Sequence, residues 1–586
     1  MAKRPLQTEA VYGNDIARQI AFKWENWNTQ RRGKRNEWQE LRNYLFATDT
    51  TTTSNSALPW KNKTTLPKLC QIRDNLHANY ISALFPNDEW LKWEGYSLED
   101  ATKAKRDAIE AYMANKCRLN GFRVTMSQLL LDFIDYGNSF ATVDYEQNMR
   151  MSRKTNEMIV EYQGPVARRL SPLDVVFDPT AISFEKSPKI VRSLVSIGEL
   201  YSMASENAND VYLKDVLKRR EKFCQNPGMY GHEKEEQISA YNVDGFGDYM
   251  EYLNSGYVEL LTFYGDIWDD KAKELKKGRK VVVLDRVETL LDDEIPQWLG
   301  GSPIYHVGWR LRPDNLWAMG PMDNLVGMQY RIDHLENLKS DAMDLAVLPP
   351  LVIAGEVEEF VYAPGAEIHI DENGSITELA KNAQWVIQAD NAIQMLEQRM
   401  EMYAGAPREA MGVRTAGEKT AFEVQQLQNA AGRIFQEKIT HFEVSLMEPV
   451  LNAMLEVAVR NLNTQDVIKV MDNDIGAAIF QTITKDDIIA SGVLRPVGAR
   501  HFAAQAQLMQ NLTGVFNTPI GQMIAPHTSS KVMANLISDI LGLNRYQLFR
   551  PNVAIQEQAE TQTMMNQAQE QLAAQDATPM PEDGQM

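Results

Sequence analysis

From Gly412 to Thr420 the chain reads GVRTAGEKT, so two glycines precede a lysine and a threonine, the residue types of a phosphate-binding loop. Such a loop needs Gly, four residues, then Gly-Lys-Ser/Thr, so that backbone N–H groups and the lysine converge on phosphate at a helix N-terminus. Here Glu418 stands between Gly417 and Lys419. The extra residue turns the lysine by roughly 100° around the following helix and puts a carboxylate where phosphate would sit. The preceding AGAPREAM has no alternation of apolar and polar residues, so no strand leads into the loop. The expectation is a loop opening onto a helix, without a nucleotide.

Other reactive side chains do not assemble into a catalytic pattern. The sequence has no G-x-S-x-G, no H-E-x-x-H, and no G-x-G-x-x-G after a strand. His334 in RIDHLEN has no second ligand at i+4, and the eight histidines read as solvated or satisfied residues. Asp486 and Asp487 could serve a metal, but neighbouring carboxylates point apart, and a helix N-terminus after Thr484 accounts for them equally well. Cys70, Cys117 and Cys224 lack C-x-x-C spacing and read as reduced core thiols. No catalytic residue, cofactor or metal is expected, and the chain is read as a non-enzyme.

The elements around these residues are clearer. Trp24, Trp27, Trp38, Leu41 and Leu45 give the first 45 residues a helical stripe, with Arg31, Arg32, Lys34 and Arg35 clustered between them. A solvated helix face is the plainer account of that basic cluster, a nucleic-acid contact the sharper one. Thr48–Ser56 reads as an exposed loop separating an arm, 1–56, from the body. Helical patterns follow at Lys68–Leu84, Leu98–Asn120 and Val124–Tyr136, and after Gly137 the signal changes to strands, so 57–318 reads as α+β. A polar helical stretch, Ile197–Tyr252, interrupts them.

From Gly320-Pro321 a helix carries Leu325, Met328, Ile332, Leu335, Leu338, Ala342 and Leu345 on one face, until Pro349-Pro350 stops it. It would be a rod of roughly 38 Å. A short β-rich insertion with an Asn373-Gly374 turn signal follows, then a second helix with Ile393, Leu396, Met400 and Tyr403. After the loop a long helix is striped by Leu427, Ala431, Ile434, Phe435, Ile439, Phe442, Leu446 and Val450. Pro449 should kink or reset it. Residues 465–554 mix short strands and helices, and 555–586 are rich in Gln and Ala and read as partly disordered.

The 586 residues carry a formal net charge of -19, with 44% apolar and 24% charged residues, an ordinary globular composition. That charge disfavours tight, sequence-blind wrapping of DNA, which relies on many basic contacts to phosphate. MAKRPLQTEAVYGND lacks the apolar core of a signal peptide, and no run of 18 apolar residues occurs, so neither secretion by that route nor membrane insertion is expected.

Five stretches, in order, carry a resemblance: DNLHANYISALFPNDEWLKWEG, QLLLDFIDYGNSFATVDYE, RRLSPLDVVFDPTA, GPMDNLVGMQYRIDHLENLKSDAMDLAVLPPLVIAG and GVRTAGEKTAFEVQQL. The chain resembles the portal proteins, or head-to-tail connectors, of tailed bacteriophages, most closely those of short-tailed phages. The likeness runs from about residue 65 to 460. It implies a mainly helical, multidomain α+β fold: a wing at 57–318, a first stem helix at 319–347, a β-rich clip at 348–384 and a second stem helix at 385–404. A channel loop at 405–420, a long wing helix at 421–464 and a crown at 465–554 complete it.

The resemblance further implies a homo-oligomeric ring, usually of twelve subunits, at one capsid vertex in the virion, assembled in the host cytoplasm. Double-stranded DNA would pass through it during packaging and ejection. Partners would be the terminase, the major capsid and scaffolding proteins, and tail adaptor proteins. Arg408, Arg414, Glu418 and Lys419 would lie in or beside the loop nearest DNA, with ion pairing to Glu409 or Glu418 the alternative role for the basic residues. Asp333, Glu336, Asp341 and Asp344 would form an acidic stem face that repels DNA, or else pair between subunits. An acidic surface suits a conduit that must let DNA pass, although on charge alone the plainer account is that it keeps a cytoplasmic protein soluble. Alternatives are another virion structural protein, such as a tail adaptor or internal core protein, and, third, a packaging-associated NTPase.

Overall fold

The computed structural model describes residues 15–46, 51, 61–85, 90–152, 156, 158–206, 213–218, 256–269, 272–295, 303–347, 351–354, 375–378, 384–404, 436–462, 465–471 and 478–497. Arg408, Arg414, Glu418 and Lys419, with the whole channel-loop region, the Asn373-Gly374 turn and the C-terminal tail, lie outside these residues. The protein is mixed α/β. It divides into two compact units: Met1–Leu84, Lys116–Asn461 and Val493–Pro496 form the first, and Phe85–Asn115, Leu462–Gly492 and Val497–Met586 the second.

In the first unit, Ile16, Ile20, Trp24 and Trp27 share one face of helix α1 (Asp15–Gln30) because they recur at three- and four-residue spacing. That face is buried against Val176, Ile190, Leu261, Phe263, Val281 and Val283 of an antiparallel five-stranded sheet. Its strands run Val175–Phe177, Lys189–Ser196, Tyr257–Asp269, Glu274–Leu284 and Glu288–Glu294, each paired with the next in sequence. The expected separate arm is therefore, over its described part, integral to this core. Two tryptophans on a short helix bury too much apolar surface to be left in water. Helix α2 (Arg32–Phe46) continues the packing with Trp38, whose ring meets Tyr136 and Trp317 edge-on at 5.3 and 5.6 Å.

Helices α3 (Lys68–Leu84), α4 (Lys103–Leu119) and α5 (Phe122–Asp135) come next. At the end of α5 the chain turns abruptly into a strand. Gly137 adopts φ +67°, and a Cβ there would stand 2.3 Å from the Gly320 nitrogen, so only glycine fits. Asn138 then bridges the two segments, donating to the Tyr136 and Ala318 carbonyls at 3.0 Å each and accepting from the Ala318 N–H at 3.0 Å. Asp132 is held by Arg169 and Asp135 by Arg73, each through two hydrogen bonds. The outgoing strand Asn138–Met151 is central in a three-stranded sheet, between Met158–Leu170 and Ile304–Gly308. This junction seats the segment that leads into the first long helix.

Beyond the short helix α6 (Ile197–Glu206), α7 (Val326–Val347) and α8 (Gln384–Tyr403) pack on each other. The strands Leu351–Ala354 and Ser375–Glu378, paired antiparallel, join the end of α7 to the start of α8. Before helix α9 (Glu448–Asn461), Glu443–Met447 form a π turn in which the Glu448 N–H reaches the Glu443 carbonyl. The expected reset thus falls one turn before Pro449. Without an N–H, Pro449 leaves the Ser445 carbonyl no i+4 donor, and the wider turn accommodates this.

The second unit includes residues 90–115, which the wing assignment grouped with the first. Within it the Trp93 N–H donates to Glu110 at 2.8 Å and its indole N–H to the Asp100 carbonyl at 3.0 Å. Gln465–Met471 and Ala478–Thr484 form a hairpin in unbroken register. Thr484 and Asp487 make a capping box at helix α10 (Lys485–Ile488), so Asp487 satisfies a helix start. Among the described residues no helix is long and apolar enough to cross a membrane.

Candidate functional site on the paired helices

The four carboxylates expected as an acidic face all lie on α7, but they do different things. The residues of α7 that are fully buried are Ile332 and three polar ones, Gln329, Asp333 and Asn337. Of the apolar stripe read from the sequence, Leu338 is exposed, while Met328, Leu335, Ala342 and Leu345 are half-buried. A polar stripe has taken the buried position because another segment of chain lies along it.

That segment is the extended strap 61–66. Asp333 Oδ1 accepts the Leu66 N–H at 3.0 Å, and Gln329 Nε2 donates to the Leu66 carbonyl at 2.6 Å. Asn337 accepts the Thr64 N–H at 2.8 Å and donates to its carbonyl at 2.9 Å. Asp341 accepts the Asn62 and Lys61 N–H groups at 3.0 and 3.1 Å, and Asp344 accepts the Asn62 side-chain amide at 3.0 Å. The match is metric. Four helical residues rise about 6 Å and two extended residues about 6.6 Å, so positions 333, 337 and 341 meet residues 66, 64 and 62 in turn.

Buried carboxylates in this ladder are costly unless hydrogen-bonded. Asp333 Oδ2 is buried with no hydrogen-bond partner. Burial pushes the Asp333 pKa up to about 7, against the opposing pull of the Leu66 N–H and Gln329. Glu336 instead pairs with Lys339 at 2.7 Å, and Lys339 also reaches Asp390 of α8 at 2.9 Å. At the other end, Lys68 at the start of α3 meets Glu401 of α8 at 2.6 Å, both side chains 6% exposed. The first of these ties joins α7 to α8 and the second joins α8 to α3.

Away from the strap, both helices expose apolar side chains. Met343 and Val347 on α7, and Ile387, Met395 and Met402 on α8, are between 49% and 76% exposed. His334 stacks on Tyr330 at 6.3 Å. Among the described residues no group of three or more His, Cys, Asp or Glu is placed to hold a metal ion.

Sequence reasoning picked out Asp333, Glu336, Asp341 and Asp344 as charges and missed Gln329 and Asn337. The available signal was Gln329, Asp333, Asn337 and Asp341 at four-residue spacing, a polar line alongside the apolar one. No protein-family model matches the chain, and no curated protein sequence matches it.

Proposed function

We propose that this chain is the subunit of a portal, a ring at one capsid vertex through which double-stranded DNA is packaged and ejected. The observation that carries this reading is the pair α7 and α8, packed antiparallel, bridged by two strands, and exposing apolar side chains along both helices. Repeated around an axis by a head-to-tail interface that closes, such a pair would line a tunnel and cover those side chains with its neighbours. The order of the resembling stretches, from the early helix through the Tyr136-Gly137-Asn138 step to the long helices, supports the same reading. The terminase and later the tail adaptors would dock at the strand-bearing end.

Asp333, Asp341 and Asp344 are engaged with the strap and Glu336 with Lys339, so their role in the ring is first to shape the stem. Mass measurement with electron microscopy of the purified chain tests the proposal. A closed ring of about 800 kDa, twelve copies of the 66.6 kDa chain, is expected. A chain that stays monomeric or dimeric at high concentration overturns it.

A further inference from the structure

The strands Asn138–Met151 and Met158–Leu170 outrun the sheet they belong to. Pairing with Ile304–Gly308 ends at Thr142, and Met158–Leu170 is the sheet's outer strand, so among the described residues 143–151 and 158–167 stand as a two-stranded ribbon. Two strands alone are marginal in water and need a third strand or a covered face. The inner end has its cover, since α5 and α9 pack on both strands and Ala141 and Val143 are buried.

The outer end is apolar on one face. Met149 stands opposite Val160 and Met151 opposite Met158. Side chains alternate along a strand and cross-strand partners share a face, so these four form one surface, on the side that carries Ala141 and Val143 further in. Arg150 and Ile159, opposite each other, lie on the other face. The four apolar residues are between 47% and 61% exposed. At roughly 100 Å² each they make a patch of about 400 Å², large enough to mark a contact surface.

Charge and area both point to a second copy of the chain as what covers it. The ribbon's charges are paired within it: Arg150 meets Glu161 at 2.8 Å, and Arg168 meets Asp144 at 3.3 Å and also Glu146. Copies of a chain with net charge -19 repel one another at long range, and an apolar face whose flanking charges are already paired is where two of them can meet. A stable interface covers about 800 Å² on each partner, of which this face supplies about half. The exposed apolar side chains of α7 and α8 offer further area on the same chain. A small partner capping the ribbon would leave those helices bare, whereas a neighbouring copy covers both.

From these observations we propose that the ribbon is an arm that lays its face of Met149, Met151, Met158 and Val160 on the next copy of the chain, a second contact between subunits beside the paired helices. The inference rests on the ring reading and adds to it a named surface that locks neighbours together.

The test uses the full chain. Met151→Glu/Val160→Glu charges the apolar face, and Arg150→Gln/Ile159→Gln alters the other one. All four positions are exposed, so melting curves taken at concentrations too low for assembly should match the parent, which separates lost assembly from lost folding. In sedimentation velocity over a concentration series, the first variant should need about tenfold more protein than the parent to form rings, and the second should need no more. As a readout independent of that substitution, benzoylphenylalanine placed at Met151 should on irradiation join two chains into one band of twice the chain mass. Rings at unchanged concentration in Met151→Glu/Val160→Glu, or a cross-link confined to single chains, overturn the arm and leave the ring reading standing. A parent chain that never self-associates overturns both.

Discussion

Asn337 holds Thr64 by both ends of one amide, accepting its N–H at 2.8 Å and donating to its carbonyl at 2.9 Å. A side chain on a helix thereby takes the place of a neighbouring strand. Replacing it with alanine strips both backbone groups of their partner while the strap still covers them. Asn337→Ala should cost roughly 2–4 kcal/mol in denaturant unfolding and speed hydrogen exchange at the Thr64 amide. An unchanged midpoint with unchanged exchange would show that the strap does not depend on this contact.

One turn away, Asp333 ties pH to stability. In the folded chain it holds its proton up to about pH 7, whereas an unfolded aspartate releases it near 4. Between those values the folded state binds more protons. The stability linked to Asp333 is therefore fully present below about pH 4 and is lost as pH rises through 7. Asp333→Asn, which cannot ionise, should shrink the stability difference between pH 5 and 8 by roughly 1–4 kcal/mol. Parallel curves for parent and variant across that window would refute the assignment.

Two glycines with similar backbone angles should behave differently. Gly121 (φ +71°) faces open space, whereas a Cβ on Gly137 (φ +67°) would meet Gly320 and Met319 backbone atoms at 2.3 and 2.5 Å. Gly121→Ala should cost about 1 kcal/mol from backbone strain alone. For Gly137→Ala the loss should exceed about 3 kcal/mol, because backbone on both sides must move. Thermal melts of the two variants make the comparison, and equal losses would mean that the Gly137–Gly320 approach is not tight.

Lys68 and Glu401 pair at 2.6 Å with little access to water. Removing one partner leaves the other's charge buried without this counter-ion, although Lys68 still reaches Gln71 at 3.0 Å. Lys68→Met or Glu401→Gln should each destabilise by roughly 3–5 kcal/mol, and the double variant Lys68→Met/Glu401→Leu should recover most of it. A double variant as unstable as the sum of the singles would mean that the two charges do not interact.

Much of the local structure was legible in residue order. Spacing marked α1, α3, α7 and α8, alternation and β-branching marked the strands after Gly137, and Thr484 with Asp487 marked a helix start. Of the stripes on the long helices, Ile393 and Met400 of α8 and Ile439, Phe442, Leu446 and Val450 are buried as expected. In α7 the leucines suggested an apolar seam, but beside Ile332 of that seam the residues covered are Gln329, Asp333 and Asn337. Periodicity reports which residues share a face. It does not report what covers that face, and here an extended backbone demands hydrogen bonds where a helix would demand leucines.

The sequence by itself determined the element types, the helix-to-strand change at Gly137 and the proline-driven reset near 449, because each depends on neighbours within a turn or two. Only the tertiary structure decided that the N-terminal helix belongs in a sheet's core, that 61–66 lies along α7, and that the α7 carboxylates are engaged by other parts of the chain. Those facts depend on groups roughly 140 to 280 positions apart, such as Arg31 with Val175 or Asn62 with Asp341, and long-range closure leaves no local periodicity to read.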